Sequence, residues 1–327
     1  MSGSTEPISL YTLPPVEEEA SEKDRPFSDE SLGHTKKLSV VVPVYNEEDS
    51  IRNVVEDLEE TLSSLGMQFE IIVVNDGSTD NTLQSAQLLQ EHCHLRVISY
   101  RANRGKTAAM MAGFHHAEGD YIVLMDGDGQ FLAKDIPKMV KRLEEGCDVV
   151  NGWGKKKEPI TKTIPSLIYN FISRKLFSLN VHQFNLGYKA FKKECIENLI
   201  LMKDEHRYIL PLLKEQGFTI EEVPVEYLPR ENGTSKYGIM RIPYGVLDMV
   251  SLKIEMVCGE RPFRIFGLIS LGLILLGGLL GIYTVLEWIR GMGITMWNVV
   301  FSLIFLLSGI NILFAGYAVE SAKNPRR

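Results

Sequence analysis

The chain has 327 residues, 45% of them hydrophobic, and a formal net charge of −7. That length carries one or two domains with a real core. The acidic balance gives no electrostatic case for nucleic-acid binding, and four scattered cysteines (Cys93, Cys147, Cys195, Cys258) without metal or CxxC spacing suit isolated thiols in a reducing compartment.

Residues 1–35 hold eight acids against two bases, with prolines between them, and lack the basic-then-apolar order of a signal peptide. They read as a disordered acidic tail. From there strand and helix signals alternate. LSVVVPVYNE is an apolar run ending in polar residues, and residues 49–65 follow with helical spacing, placing Ile51, Val54, Val55, Leu58 and Leu62 on one side. FEIIVVNDGSTDNT repeats the theme before a helix candidate over residues 82–92. LRVISY predicts a third strand, AAMMAGFHHA a helix and YIVLMDGDGQ a fourth strand. Continuous apolar runs alternating with helices predict a mainly parallel α/β sheet covered on both faces. Ligands bind such sheets at the carboxyl ends of the strands. Asn46 and Glu47, Asn75 and Asp76, and Asp126 and Asp128 all fall there.

MDGDGQ places two carboxylates one residue apart, immediately after an apolar strand. Gly127 and Gly129 make it cheap for the backbone to leave the extended form and turn both acids to one side. Carboxylates held together repel unless a positive charge lies between them. Oxygen ligands from Asp126 and Asp128, with Gln130 offering a further carbonyl, suit Mg²⁺ or Mn²⁺ and leave positions open for substrate phosphates. A solvated glycine-rich turn is the alternative reading of the same residues.

Towards the carboxyl end, residues 239–262 alternate apolar side chains with Arg241, Asp248 and Lys253. This predicts an amphipathic helix at a bilayer surface or a core helix of the preceding domain. Residues 265–286 and 291–319 contain no charged side chain. Each can cross ~30 Å of hydrocarbon as a helix, with spans expected over residues 265–286 and 296–319 and a polar break at residues 287–290. Arg261 and Arg264 precede the hairpin, and Lys323, Arg326 and Arg327 follow it. The positive-inside bias then predicts both chain ends, including the large amino-terminal domain and the short tail 321–327, on the cytoplasmic side.

The stretches VVPVYNEE, VNDGSTDNT, NRGKTAAMMAGFHHAEGDYIVLMDGDGQ and HRYILPLLKEQGFTIEEVPVEYLPRENGTSKYG together resemble glycosyltransferase family 2, in its dolichyl-phosphate mannose synthase-like, polyprenyl-phosphate glycosyltransferase branch. The resemblance covers roughly residues 37–245 and the paired spans. It implies a GT-A domain over residues 36–238, a nucleotide-sugar donor, a polyprenyl phosphate acceptor and inverting transfer of a hexose. It implies that Pro43, Tyr45 and Glu47 line the base and ribose site and that Val74 and Asp76 hold the nucleotide. Asp126, Asp128 and Gln130 would hold the metal and diphosphate, with Gly127 beside them. Arg230 and Lys236 would approach the donor phosphates. Lys162 and Ser166, four residues apart, and Lys155 would stand where the family places acceptor-phosphate residues, a basic surface loop being the alternative. Asn185, Gly187 and Lys189 match a family stretch in which Gln183 replaces the expected acid. The sequence leaves the sugar, the lipid and a possible homo-oligomer open.

Overall fold

The computed structural model describes residues 36–154, 160–228, 241–259 and 261–323. The expected acidic tail lies outside them. The chain divides into two compact units, Met1–Gly238 and Ile239–Arg327.

In the first unit the order is β1 (Lys37–Val44), α1 (Ile51–Ser63), β2 (Gln68–Asn75), α2 (Thr82–Leu89), β3 (Leu95–Ser99), α3 (Lys106–His116) and β4 (Tyr121–Met125), then α4 (Ile136–Glu144), β5 (Val149–Trp153), α5 (Ile160–Phe177), β6 (Tyr188–Lys192), α6 (Ile209–Glu215) and β7 (Ile220–Pro224). The strands form one sheet in the order β3-β2-β1-β4-β6-β5-β7. β1 runs parallel to β2 and β4, and β2 runs parallel to β3. β6 is antiparallel to both β4 and β5. The expected mainly parallel sheet is therefore present, with one reversed strand inserted.

Burial explains the uninterrupted apolar runs. Every residue of β4 is buried, as is β1 from Leu38 onward, because helices cover both faces and no face is left for polar side chains. The apolar stripe expected on α1 is the buried one: Ile51, Val54, Val55, Leu58 and Leu62. The sequence runs outward from β1 to β2 and β3, then returns to place β4 on the other side of β1. That reversal opens a crevice at the carboxyl ends of β1 and β4, where such sheets take their ligands.

The second unit holds α7 (Arg241–Cys258), α8 (Pro262–Ile289) and α9 (Met296–Lys323). Leu247, Val250, Ile254 and Val257 on α7 are exposed, whereas Met249 and Leu252 are buried. The spacing of the exposed four places them along one side of the helix. α8 and α9 have 28 residues each, about 42 Å of helix at 1.5 Å per residue, long and apolar enough to cross a membrane. They pack on each other at small residues. A Cβ on Gly277 would come within 2.9 Å of Leu306 Cγ and Ser302 O, and one on Gly309 within 2.7 Å of Ile274 Cγ1. Ser270 Oγ donates to Gly309 O and Ser302 Oγ to Gly277 O, each at 2.7 Å. The helix break differs from the expected position. α8 continues through Glu287, which accepts a hydrogen bond from Tyr283 OH one turn earlier at 2.8 Å. The chain turns instead after Arg290, where Gly291 and Gly293 take φ of 71° and 82°.

Candidate active site

The crevice is built from strand-end loops that bond to one another. Asn46, in the left-handed region at φ 55°, donates its N–H to Ser78 Oγ at 2.9 Å and accepts from Thr79 N at 2.8 Å. Glu47 N donates to Thr82 Oγ1 at 2.8 Å, tying the β1 loop to the start of α2. Ser50 Oγ reaches across to Gly127 O at 2.8 Å, tying the same loop to the end of β4. Pro43 and Val74 are neighbours in register on β1 and β2, and both are buried.

Asp76 is 3% exposed, and its carboxylate accepts the N–H groups of Arg104 at 2.7 Å and Gly105 at 2.8 Å. Burial pushes this carboxyl up from its ordinary value, while the two N–H groups and the Arg104 charge pull it down. In this state the group acts on the protein's own backbone: it holds the NRGK turn that opens α3.

The next residue on that turn is Lys106, to which the sequence reading assigned no role. Its Nζ lies 2.6 Å from Asp126 Oδ1 and donates to Oδ2 at 2.7 Å. Apart from this ion pair, Asp126 Oδ1 is buried and takes no aligned hydrogen bond. The signal available in the sequence was positional: Lys106 stands at the end of the third strand's loop, on the same edge as Asn46, Asp76 and Asp126.

Strand β6 supports Asp126 from the other side. Asp126 N donates to Gly187 O at 3.0 Å, and a Cβ on Gly187 would lie 2.0–2.2 Å from the carboxylate atoms of Asp126. Two residues on, Lys189 is 2% exposed and bonds through Nζ to Leu186 O. Burial pushes its ammonium down to about 7, helped by the charge of Lys106 and opposed by those of Asp126 and Glu222. The folded chain thus favours the neutral amine where the unfolded chain would still bind a proton, between about pH 7 and the ordinary lysine value of 10.5. Stability carried by this group is present in full above about pH 10.5 and is lost as pH falls from there to the folded value near 7. Lys189→Met is expected to flatten the rise of Tm between pH 7 and 9 relative to the wild type, measured by parallel thermal scans.

Asp128 is half-buried, with Oδ1 accepting the N–H of Gln130 at 3.2 Å. Gln130 pairs with Leu228: its Nε2 donates to Leu228 O at 3.3 Å, and its backbone carbonyl accepts from Leu228 N at 2.9 Å. Among the described residues no three His, Cys, Asp or Glu side chains form a closed metal cage. Asp126 and Asp128 stand one residue apart directly after β4, and both carry hard carboxylate oxygens. A site that already holds the ammonium of Lys106 against a buried carboxylate oxygen has the charge and chemistry to accept a divalent cation.

Gln183 has a structural use. Its Nε2 donates to Gly154 O at 2.9 Å, its Oε1 accepts from Gly154 N at 3.2 Å, and its backbone carbonyl accepts from Asn151 Nδ2 at 2.8 Å. A carboxylate could make only the accepting half of that bracket. Gln183→Glu is expected to cost about 1–3 kcal/mol, the penalty for setting an acceptor against a carbonyl that has lost its donor, read from chemical unfolding. Beside it, His182 stacks on Trp153 with ring centroids 4.5 Å apart, and its N–H donates to Glu222 Oε2 at 2.8 Å. Asn185 is exposed. Lys155, Arg230, Lys236 and the Asn232-Gly233-Thr234 sequon lie outside the described residues, and Lys162 and Ser166 fall on α5 with side chains outside the description.

Residues 39–200 match the model of glycosyl transferase family 2. The dodecaprenyl-phosphate galacturonate synthase of Rhizobium johnstonii is 34% identical over 293 residues, spanning 87% of each chain. The undecaprenyl-phosphate 4-deoxy-4-formamido-L-arabinose transferase of Pseudomonas paraeruginosa is 30% identical over 298 residues, 86% of this chain and 84% of that protein. Among solved structures, glucosyl-3-phosphoglycerate synthase of Mycobacterium tuberculosis, in complex with Mn²⁺ and uridine-diphosphate-glucose, superposes with a TM-score of 0.54 at 21% identity, covering 67% of this chain and 79% of that one. This last likeness concerns the fold, which the two share in the sheet and its covering helices. Two relatives matched over most of the chain, together with the family model, lead to one assignment: the protein is a glycosyltransferase and belongs to glycosyl transferase family 2.

Proposed function

We propose that the protein transfers a hexose from a GDP- or UDP-linked donor to a polyprenyl phosphate, either dolichyl or undecaprenyl phosphate, in the membrane. The observation that carries this reading is the pairing, in one chain, of the Asp126–Lys106 crevice with two helices long enough to cross a bilayer. The two relatives are both named for a polyprenyl phosphate, which supports the same acceptor class.

In this reading Pro43, Tyr45, Glu47, Val74 and Asp76 form the nucleotide end of the crevice. Asp126 and Asp128 would hold Mg²⁺ or Mn²⁺, with Gln130 beside them. The cation would supply charge to stabilise the departing diphosphate. Lys106, Arg230 and Lys236 add fixed positive charge for the same leaving group. An oxygen of the lipid phosphate attacks the anomeric carbon. The bond from that carbon to the nucleoside diphosphate breaks as the new carbon–oxygen bond forms, and the configuration inverts. A phosphate monoester is largely ionised at pH 7, so no protein base is required, in keeping with a neutral Gln183. Lys155, Lys162 and Ser166 are the proposed acceptor-phosphate residues. The exposed apolar side of α7 suits a bilayer surface. The basic residues flanking the hairpin favour a cytoplasmic catalytic unit with both termini on that side.

The test supplies the full chain in detergent with labelled nucleotide sugars, one at a time, and with undecaprenyl or dolichyl phosphate. Label should enter the organic-soluble lipid in the presence of Mg²⁺ or Mn²⁺ and stay out of it with a chelator. Folded protein that transfers no sugar from any donor to either lipid would overturn the reading.

A further inference from the structure

We infer that Lys106 is the resident counter-ion of the cation site: in the empty protein its ammonium occupies Asp126 in place of a divalent ion, and on donor arrival it moves from the carboxylate to the diphosphate. The inference rests on the proposed role of Asp126 as a metal carboxylate.

Both Asp126 oxygens lie within 2.7 Å of Lys106 Nζ. The lysine is fixed at its base. Asp76 holds the turn through the N–H groups of Arg104 and Gly105, and Lys106 opens α3 directly after it. Beyond that anchor runs a flexible four-carbon stem ending in a compact point charge. The Lys106 side chain is 34% exposed, so part of it meets solvent. Behind Asp126 the way is closed by Gly187 and the buried Lys189.

Charge balance then sets the order of events. A divalent ion arriving alone must displace the ammonium and leave it without an anion, close to the new ion. A divalent ion arriving with a diphosphate gives the ammonium a new partner in the same step. Lys106 therefore disfavours metal binding to the empty protein and favours binding of metal and donor together. A site built this way holds free cations less tightly between turnovers.

The test measures Mn²⁺ binding to the full chain in detergent without nucleotide, from the electron paramagnetic resonance signal of free Mn²⁺. Lys106→Met and Lys106→Gln should each bind Mn²⁺ alone about ten-fold more tightly than the wild type, because the competing ammonium is gone. Adding Asp126→Asn to either should cancel the gain. A thermal scan gives a second readout: Lys106→Met should lose stability without metal and regain it with Mn²⁺ alone, by mass action on the folded state. If both Lys106 variants bind Mn²⁺ no more tightly than the wild type while Asp126→Asn still weakens binding, the counter-ion role is wrong and the metal reading stands. If Asp126→Asn leaves Mn²⁺ binding unchanged in the Lys106→Met background, the metal reading falls and takes this inference with it.

Discussion

Asp128→Asn is expected to lower sugar transfer by about three orders of magnitude, the scale of several kcal/mol of transition-state charge stabilisation, and to leave Tm nearly unchanged. The side chain is half-buried on a strand-end turn, outside the hydrophobic core. Substitution with the isosteric amide keeps an oxygen able to accept from Gln130 N and removes the charge. The loss should therefore fall on a step that needs charge and should persist at saturating Mn²⁺. Turnover close to wild type under those conditions would sink the metal reading. The corresponding change at Asp126 is less clean, since it also leaves Lys106 without its carboxylate.

Gly187→Ala is expected to damage both stability and activity. Its Cβ would stand 2.0 Å from Asp126 Oδ2, well inside any contact distance, and Gly187 O is the acceptor for Asp126 N. Overpacking of this kind costs about 1–3 kcal/mol, and displacement of a reacting group by an ångström costs on the order of 10²-fold in rate. The two effects separate in a double variant. Gly187→Ala combined with Asp126→Ala removes the clashing carboxylate, so stability should recover while transfer stays lost. Additive destabilisation in the double variant would show that the clash lies elsewhere.

Much of the first unit is legible in the sequence, and the reasons are physical. β1, β2 and β4 are covered on both faces, so their apolar runs are unbroken. α1 shows its buried stripe because its other side meets water. β6 and β7 gave no comparable signal. YKAFK includes Lys189, a buried lysine that any pattern of hydrophobicity assigns to the surface, and IEEVP carries two adjacent glutamates. The acidic pair was legible because its charges are adjacent in the chain. The Lys106 contact was not, since 20 residues and a helix separate it from Asp126, and the contact depends on Asp76 holding a turn from a third strand. The Gln183 substitution was visible as a departure from the family. Its reason lies in the two backbone atoms of Gly154, which no sequence pattern records.

The two serine-to-glycine hydrogen bonds between α8 and α9 run in opposite directions, one helix donating at each level. Such reciprocal latches set the alignment of the two helices from within the pair, independently of the link that joins them. The connecting residues at the far end, around Gly291 and Gly293, are then free to vary in length. A short epitope inserted there would report which side of the membrane the link faces, with the helix pairing and the enzyme left intact.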